Sequence, residues 1–279
     1  IKLIIAENQQ FISKVKLFKR EYSFEKNLNY VLVGLRRAGK SYLLYERIQQ
    51  LMKEGHSEEE FLYFNFEDDR LLNIQVSDLN TILTSYQEMF DYKPFVFLDE
   101  IQIIDGWEKF ARRLADQNYH VYITGSNAKM LSSEIATTLG GRFQIKEVFP
   151  LSFREMLRSK GIDVDDKNFE YKNATSINKY LEEYFRFGGL PEVGNVQDKR
   201  SWLNGLYGKI FFGDLLTRYS IRNDKALKFV VQKLAESIKQ PISYSRIVKM
   251  VSSIGTKIST ETVIDYLAYM NESWRLIPI

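Results

Sequence analysis

The stretch Tyr30-Val31-Leu32-Val33-Gly34-Leu35-Arg36-Arg37-Ala38-Gly39-Lys40-Ser41-Tyr42 decides how the chain reads. Residues 30–33 form a short apolar run of the kind buried on both faces of a parallel sheet. The eight residues from Gly34 to Ser41 match G-x-x-x-x-G-K-[ST]. Leu43, Leu44, Ile48, Leu51 and Met52 then recur at helical spacing. A phosphate cradle requires this order of strand, loop and helix. Glycines let backbone N–H groups turn inward around phosphate oxygens, and the helix N-terminus adds partial positive charge. Gly34, Leu35, Arg36, Arg37, Ala38, Gly39, Lys40, Ser41 and Tyr42 are the expected binding segment. Lys40 is expected on the β- and γ-phosphates and Ser41 on Mg2+.

A second motif lies downstream. Phe95-Val96-Phe97-Leu98 is another apolar run, and it ends in Asp99-Glu100. Two carboxylates at the C-terminal end of a buried strand emerge where open α/β sheets bind ligands. Asp99 is expected to hold Mg2+ through its water shell, and Glu100 to orient or deprotonate an attacking water. Residues 61–66 form a further apolar run between the two motif strands. An inserted strand and a Glu after the Asp look like the additional-strand, catalytic-glutamate division of P-loop ATPases. The sequence lacks a guanine-selecting N-K-x-D. ATP is therefore expected over GTP.

Three more features fall near this expected site. Residues 121–124 read as a buried strand that leads into Gly125-Ser126-Asn127, so Ser126 or Asn127 is placed to sense the γ-phosphate. Either one also suits a helix cap. Asn65, Glu67 and Asp68 follow the second strand, where a polar residue could restrain Glu100. Arg142, after Gly140-Gly141, could stabilise charge on the transferring phosphoryl group, in its own chain or in a neighbouring subunit, or form a structural ion pair.

The remaining sequence sets bounds. The 279 residues carry 39 Lys and Arg against 36 Asp and Glu, a net charge of +3. That balance is uneven: residues 1–150 carry 19 basic and 21 acidic side chains, and residues 151–279 carry 20 and 15. Cys is absent and only two His occur, which excludes disulfides, thiolate nucleophiles and multi-His metal sites. No apolar run reaches the roughly 20 residues of a membrane helix. A cytoplasmic protein without membrane contact is expected. Apolar strands at 30–33, 61–66, 95–98, 121–124 and 143–148 alternate with helical stretches such as 40–53 and 107–117, which argues for a parallel α/β sheet. Lys14, Lys16, Lys19 and Arg20 interleave with Val15, Leu17 and Phe18 and suit an amphipathic helix. The expected parts are a core with an N-terminal helix at 1–150, a helical connector at 151–224 and a winged-helix or helix-turn-helix module at 225–279.

Several of these stretches together resemble a known family. Gly34 to Ser41 is similar to its G-x-R-R-x-G-K-[ST] loop. Asp99-Glu100-Ile101-Gln102 with Gly106-Trp107 is similar to its D-E-x-Q…G-W stretch. Gly125-Ser126-Asn127, Gly141-Arg142, Pro150-Leu151-Ser152-Phe153 and Gly188-Gly189-Leu190-Pro191 match further family motifs. The family comprises bacterial and archaeal AAA-type ATPases. They join a P-loop core to a winged-helix module and a C-terminal domain of unknown function, nuclease-like in many members. The resemblance implies a parallel-sheet P-loop fold, ATP binding and hydrolysis. It also implies a further domain beyond the apolar stretch 274–279.

In the last part, Pro241 and Gly255 punctuate two helical runs at the spacing of a helix-turn-helix. A DNA reader would turn Ser259, Thr260, Glu261, Thr262, Asp265 and Tyr266 to a major groove. That face has two acids and no base, a poor match to phosphate. Packing against another part of the protein is the other reading. The expected partners are ATP, a second copy of the chain, and DNA or a protein at these helices. Two further classes stay open: an ATP-gated regulator with negligible turnover, and a phosphotransferase, against which Glu100 argues.

Overall fold

The computed structural model describes residues 1–71, 73–126, 130, 133–209, 215–217, 219–237 and 241–272. They form two compact units, Ile1–Val196 and Gln197–Ile279.

In the first unit, five strands form one parallel sheet: β1 (Asn29–Val33), β2 (Phe61–Asn65), β3 (Phe95–Asp99), β4 (Val121–Gly125) and β5 (Phe143–Glu147). Their order is β2-β3-β4-β1-β5. All five lie where the apolar runs predict them. The strand that lies between the two motif strands in space, however, is β4 and not β2. Residues 61–66 intervene in sequence, but β2 lies at the sheet edge; β4 separates β1 from β3, in register Val33↔Gly125 and Leu98↔Ile123. Sequence order says nothing of spatial order, because each parallel connection crosses over the sheet.

Helix α1 (Lys2–Lys14) lies along the β2 edge, where the Gln9 amide donates to the Phe61 carbonyl at 2.9 Å. It covers the free edge of the sheet, a site that otherwise invites pairing with other chains. α1 is not the helix expected from Lys14 to Arg20. Residues 15–20 are not helical, because the Gln49 amide takes the carbonyls of Ile12 and Val15 and Arg20 turns into the interior. Helix α2 (Lys40–Lys53) begins at the glycine loop. It buries Leu43, Leu44, Ile48 and Leu51 against Tyr30, Tyr63, Phe97 and Tyr122 of the sheet. Helix α3 is Leu79–Gln87. Helix α4 (Trp107–Asp116) buries Trp107, Phe110, Ala111 and Leu114, an i, i+3, i+4, i+7 stripe. Helix α5 spans Ser133–Leu139, α6 Phe153–Ser159 and α7 Phe169–Phe187. Residues 151–196 pack within the first unit, so the contacts divide the chain near Val196 rather than at Pro150.

The second unit holds α8 (Lys199–Lys209), α9 (Asp224–Glu236), α10 (Tyr244–Ser253) and α11 (Thr260–Glu272). The Asn223, Ser243 and Ser259 side chains accept backbone N–H bonds at the starts of α9, α10 and α11. Leu227, Val230, Ile247, Val251, Val263 and Met270 form its core. Tyr266 joins them at 5% exposure, so it is a packing residue rather than a face for a groove. Residues 273–279, where a wing or a strand would follow, lie outside the described residues. No helix of the described chain is long and apolar enough to cross a membrane.

Candidate nucleotide site

The loop leaves β1 at the C-terminal edge of the sheet and enters α2. At Gly34 an added Cβ would lie 2.0 Å from the Val148 carbonyl oxygen, so no side chain fits where β5 runs past the loop. Gly39 has φ +93° and Arg37 φ +64°, both left-handed, and these turns bend the loop into a nest. Lys40 is 4% exposed. Its ammonium lies 3.2 Å from the carbonyls of Gly34 and Leu35 and 3.4 Å from Glu100 Oε1.

Asp99 is fully buried at the tip of β3. Tyr63 donates to its Oδ2 at 2.5 Å and Thr124 donates to its Oδ1. Burial pushes its carboxyl up, and these hydrogen bonds, with the nearby Ser41 hydroxyl, oppose the rise. Glu100 follows with φ +54°, a left-handed non-glycine conformation that costs about 1–3 kcal/mol. Its backbone N–H is fixed by Thr124 Oγ1 at 2.9 Å. Strained non-glycine residues of this kind cluster at functional sites.

The residue that holds Glu100 is Gln102. Its amide donates to Glu100 Oε2 at 2.6 Å and to Ser126 Oγ at 3.3 Å. Arg36 Nε lies 3.5 Å from the same Ser126 oxygen, and Arg36 Nη2 lies 3.9 Å from Glu67. Burial raises the Glu67 carboxyl, and the charge of Glu100 adds to the rise. Among the described residues, Gln102 Oε1 is the buried side-chain polar atom without a partner. An orphaned acceptor costs about 1–3 kcal/mol. Turning the amide over would set that oxygen against the Glu100 carboxylate, so the orientation is fixed by its donors. The expected restraint of Glu100 by Asn65, Glu67 or Asp68 is not what forms. Asn65 accepts from the Glu67 backbone, and Asp68 pairs with Arg70.

Behind the loop stands Arg20, 5% exposed. Its guanidinium donates to Glu155 at 2.8 Å, to the loop carbonyl of Ala38 at 3.0 Å and to Phe149 at 2.9 Å. Glu155 also closes a capping box with Ser152, at the start of α6. Burial works against its charge, but the Arg20 bond and the N–H groups of Glu21 and Ser152 outweigh it, and its carboxyl is held low. From the front, Arg37 pairs with Glu192 in the segment after Gly188-Gly189-Leu190-Pro191.

Lys40, Ser41, Asp99, Glu100, Ser126 and Arg36 therefore converge, while Arg142 does not. It precedes β5, in register with the start of β1 (Asn29↔Phe143), so it sits at the opposite edge of the sheet, roughly 13 Å of strand from Val33. There it bonds Asp116, in an ion pair of its own chain. Arg142 thus lies away from the glycine loop of its own chain. Tyr42 is 55% exposed, with its ring 5.4 Å from that of Tyr45 and outside the polar network. Asn127 lies outside the described residues. Tyr63, Thr124 and Arg20 carry parts of the site that the motifs do not reveal, and Gln102 stands in the D-E-x-Q stretch without an expected role.

Among the described residues no group of three His, Cys, Asp or Glu could hold a metal. A hydroxyl and one carboxylate, Ser41 and Asp99, suit Mg2+, which keeps several waters and shares substrate phosphates. The cradle has no room for side chains at Gly34, and the adjoining ammonium and carboxylates fit a magnesium nucleotide.

A parallel sheet of this order, a glycine loop at the end of β1 and an acidic pair at the end of β3 define a P-loop nucleotide-binding protein of the additional-strand division. Residues 26–157 match the AAA domain family, so this part of the chain carries an AAA-type P-loop domain. An uncharacterized protein of Methanocaldococcus jannaschii is 36% identical over 97% of this chain and 61% of its own length. An uncharacterized protein of Haemophilus influenzae is 31% identical over 88% of this chain and 60% of its own length. The chain thus spans about three-fifths of the length of these relatives. AMPPCP-bound DnaA from Aquifex aeolicus aligns with 96% of this chain and 86% of its own at 13% identity. Its TM-score of 0.35 is too low to carry weight.

Proposed function

We propose that the chain binds ATP with Mg2+ and hydrolyses it to drive or switch a conformational change. The observation that carries this reading is the meeting of Lys40 and Glu100 at 3.4 Å beside the buried Asp99, all at the C-terminal edge of the sheet. Lys40 and the loop amides stabilise charge on the phosphates. Glu100 orients a water and takes its proton. Ser41 and Asp99 would hold Mg2+, which supplies further charge neutralisation. Ser126 and Arg36 stand next to the acidic pair and suit contact with the γ-phosphate.

Arg142 acts, in this reading, on the nucleotide of a second copy. Its partner Asp116 lines an open groove of about 640 Å³ with Lys109, Arg112 and Arg113, a basic surface suited to a neighbour's phosphates. The α10–α11 pair is the part proposed to meet DNA or a protein.

The test is phosphate release at saturating ATP, with and without a magnesium chelator, for wild type and Glu100→Gln. The expected result is magnesium-dependent turnover that falls by about 100-fold or more in the variant. Wild-type turnover in Glu100→Gln removes Glu100 from the chemistry. Tight ATP binding with negligible turnover in the wild type makes the protein an ATP-gated switch instead.

A further inference from the structure

We infer that Gln102 is a positioning residue for hydrolysis: it grips one oxygen of Glu100 and leaves the other for water. The inference rests on the proposed role of Glu100.

Glu100 has two carboxylate oxygens with different neighbours. Oε2 accepts from the Gln102 amide at 2.6 Å, and Oε1 faces the Lys40 ammonium at 3.4 Å. Lys40 is the residue that substrate phosphate draws away, because a triphosphate offers it more charge than one carboxylate and two loop carbonyls. That move uncovers Oε1 and leaves Oε2 held. A carboxylate with one oxygen anchored and one open is aimed, whereas one that is free at both oxygens rotates about its terminal torsion, which is soft.

The surroundings are built to hold Gln102 in this pose. Its second contact reaches Ser126 Oγ at 3.3 Å, and Arg36 approaches the same oxygen, so the amide ties Glu100 to the tip of β4. A Cβ on Gly125 would come within 2.8 Å of Gln102 Oε1 and 1.7 Å of Met130 Sδ, so the glycine leaves the space in which the amide lies. The unpartnered Oε1 shows which end of the amide matters here: both contacts to the site are made by its N–H groups.

The experiment uses Gln102→Met, which keeps length and volume but has no donor, beside Gln102→Ala, Glu100→Gln and the Gln102→Met/Glu100→Gln double variant. ATP affinity is read with a fluorescent ATP analogue and the chemical step by single-turnover hydrolysis. Gln102→Met is expected to lower kcat by about tenfold or more, with KM and nucleotide affinity within threefold of wild type. The double variant is expected to be no slower than Glu100→Gln alone, because a residue that acts through Glu100 has nothing left to position. The inference is overturned if Gln102→Met keeps or raises the wild-type rate, if its effect lies in nucleotide affinity, or if the two losses multiply. Full hydrolysis by Glu100→Gln refutes the proposed chemistry itself and is a separate outcome.

Discussion

Replacing Arg20 with Met removes a buried guanidinium and keeps most of the aliphatic volume. Three contacts go at once: Glu155 at 2.8 Å, the Phe149 carbonyl at 2.9 Å and the loop carbonyl of Ala38 at 3.0 Å. Glu155 stays buried, still bonded by the N–H groups of Glu21 and Ser152 but without its counter-charge. Removing one partner of a buried ion pair costs about 3–5 kcal/mol, more than the pair itself contributes, because the remaining charge is stranded. For a unit of this size each kcal/mol moves Tm by roughly 2–4 °C, so the first unit should melt roughly 6–20 °C lower. The loss has a pH signature. The Glu155 carboxyl is held below its usual 4.5 in the fold. Its contribution is therefore fully present above about pH 4.5 and fades as pH falls through the lower folded value. The gap between wild type and variant should be widest near neutrality and should narrow below about pH 4. Adding Glu155→Leu should recover part of the loss. Thermal melts followed by circular dichroism at neutral pH and near pH 3 measure all three. A drop under 2 °C at neutral pH, or an equal gap at both pH values, refutes the reasoning.

Two other expectations concern packing. Gly189→Ala sets a Cβ 2.0 Å from the Leu151 carbonyl oxygen, which also accepts from Tyr184; this should cost roughly 1–3 kcal/mol in a denaturant titration. Ile247→Ala opens a cavity in the helical unit, where Ile247 is 1% exposed; hydrogen exchange across α10 and α11 should report a loss of about 2–5 kcal/mol.

Much of the site was legible because its parts are contiguous in the chain. The glycine loop, the Asp99-Glu100 pair and the Ser126 turn each follow an apolar strand, and parallel strands bring their C-terminal ends together. The same rule could have placed Arg142, since a residue before a parallel strand lies at the other edge. The Gly140-Gly141-Arg142 pattern carries a residue type and no strand direction. The inserted strand was misplaced for a related reason: β2 comes between the motif strands in sequence and β4 in space. Arg20 was hidden because a cation among lysines reads as solvent-facing, and only the distant Glu155 turns it inward. Gln102 stood in a matched motif without a role, because its bonds to Glu100 and Ser126 depend on the left-handed turn at Glu100.

The central claim is that one site binds ATP and cleaves it, with Glu100 needed for cleavage and not for binding. Quenched-flow measurement of bound ATP and formed ADP in the same sample, for wild type and Glu100→Gln with Mg2+, tests it most directly. Equal occupancy in both proteins, with ADP formed by the wild type alone, is the expected result. ADP formation at the wild-type rate in Glu100→Gln, or no ATP bound to the wild type, contradicts it.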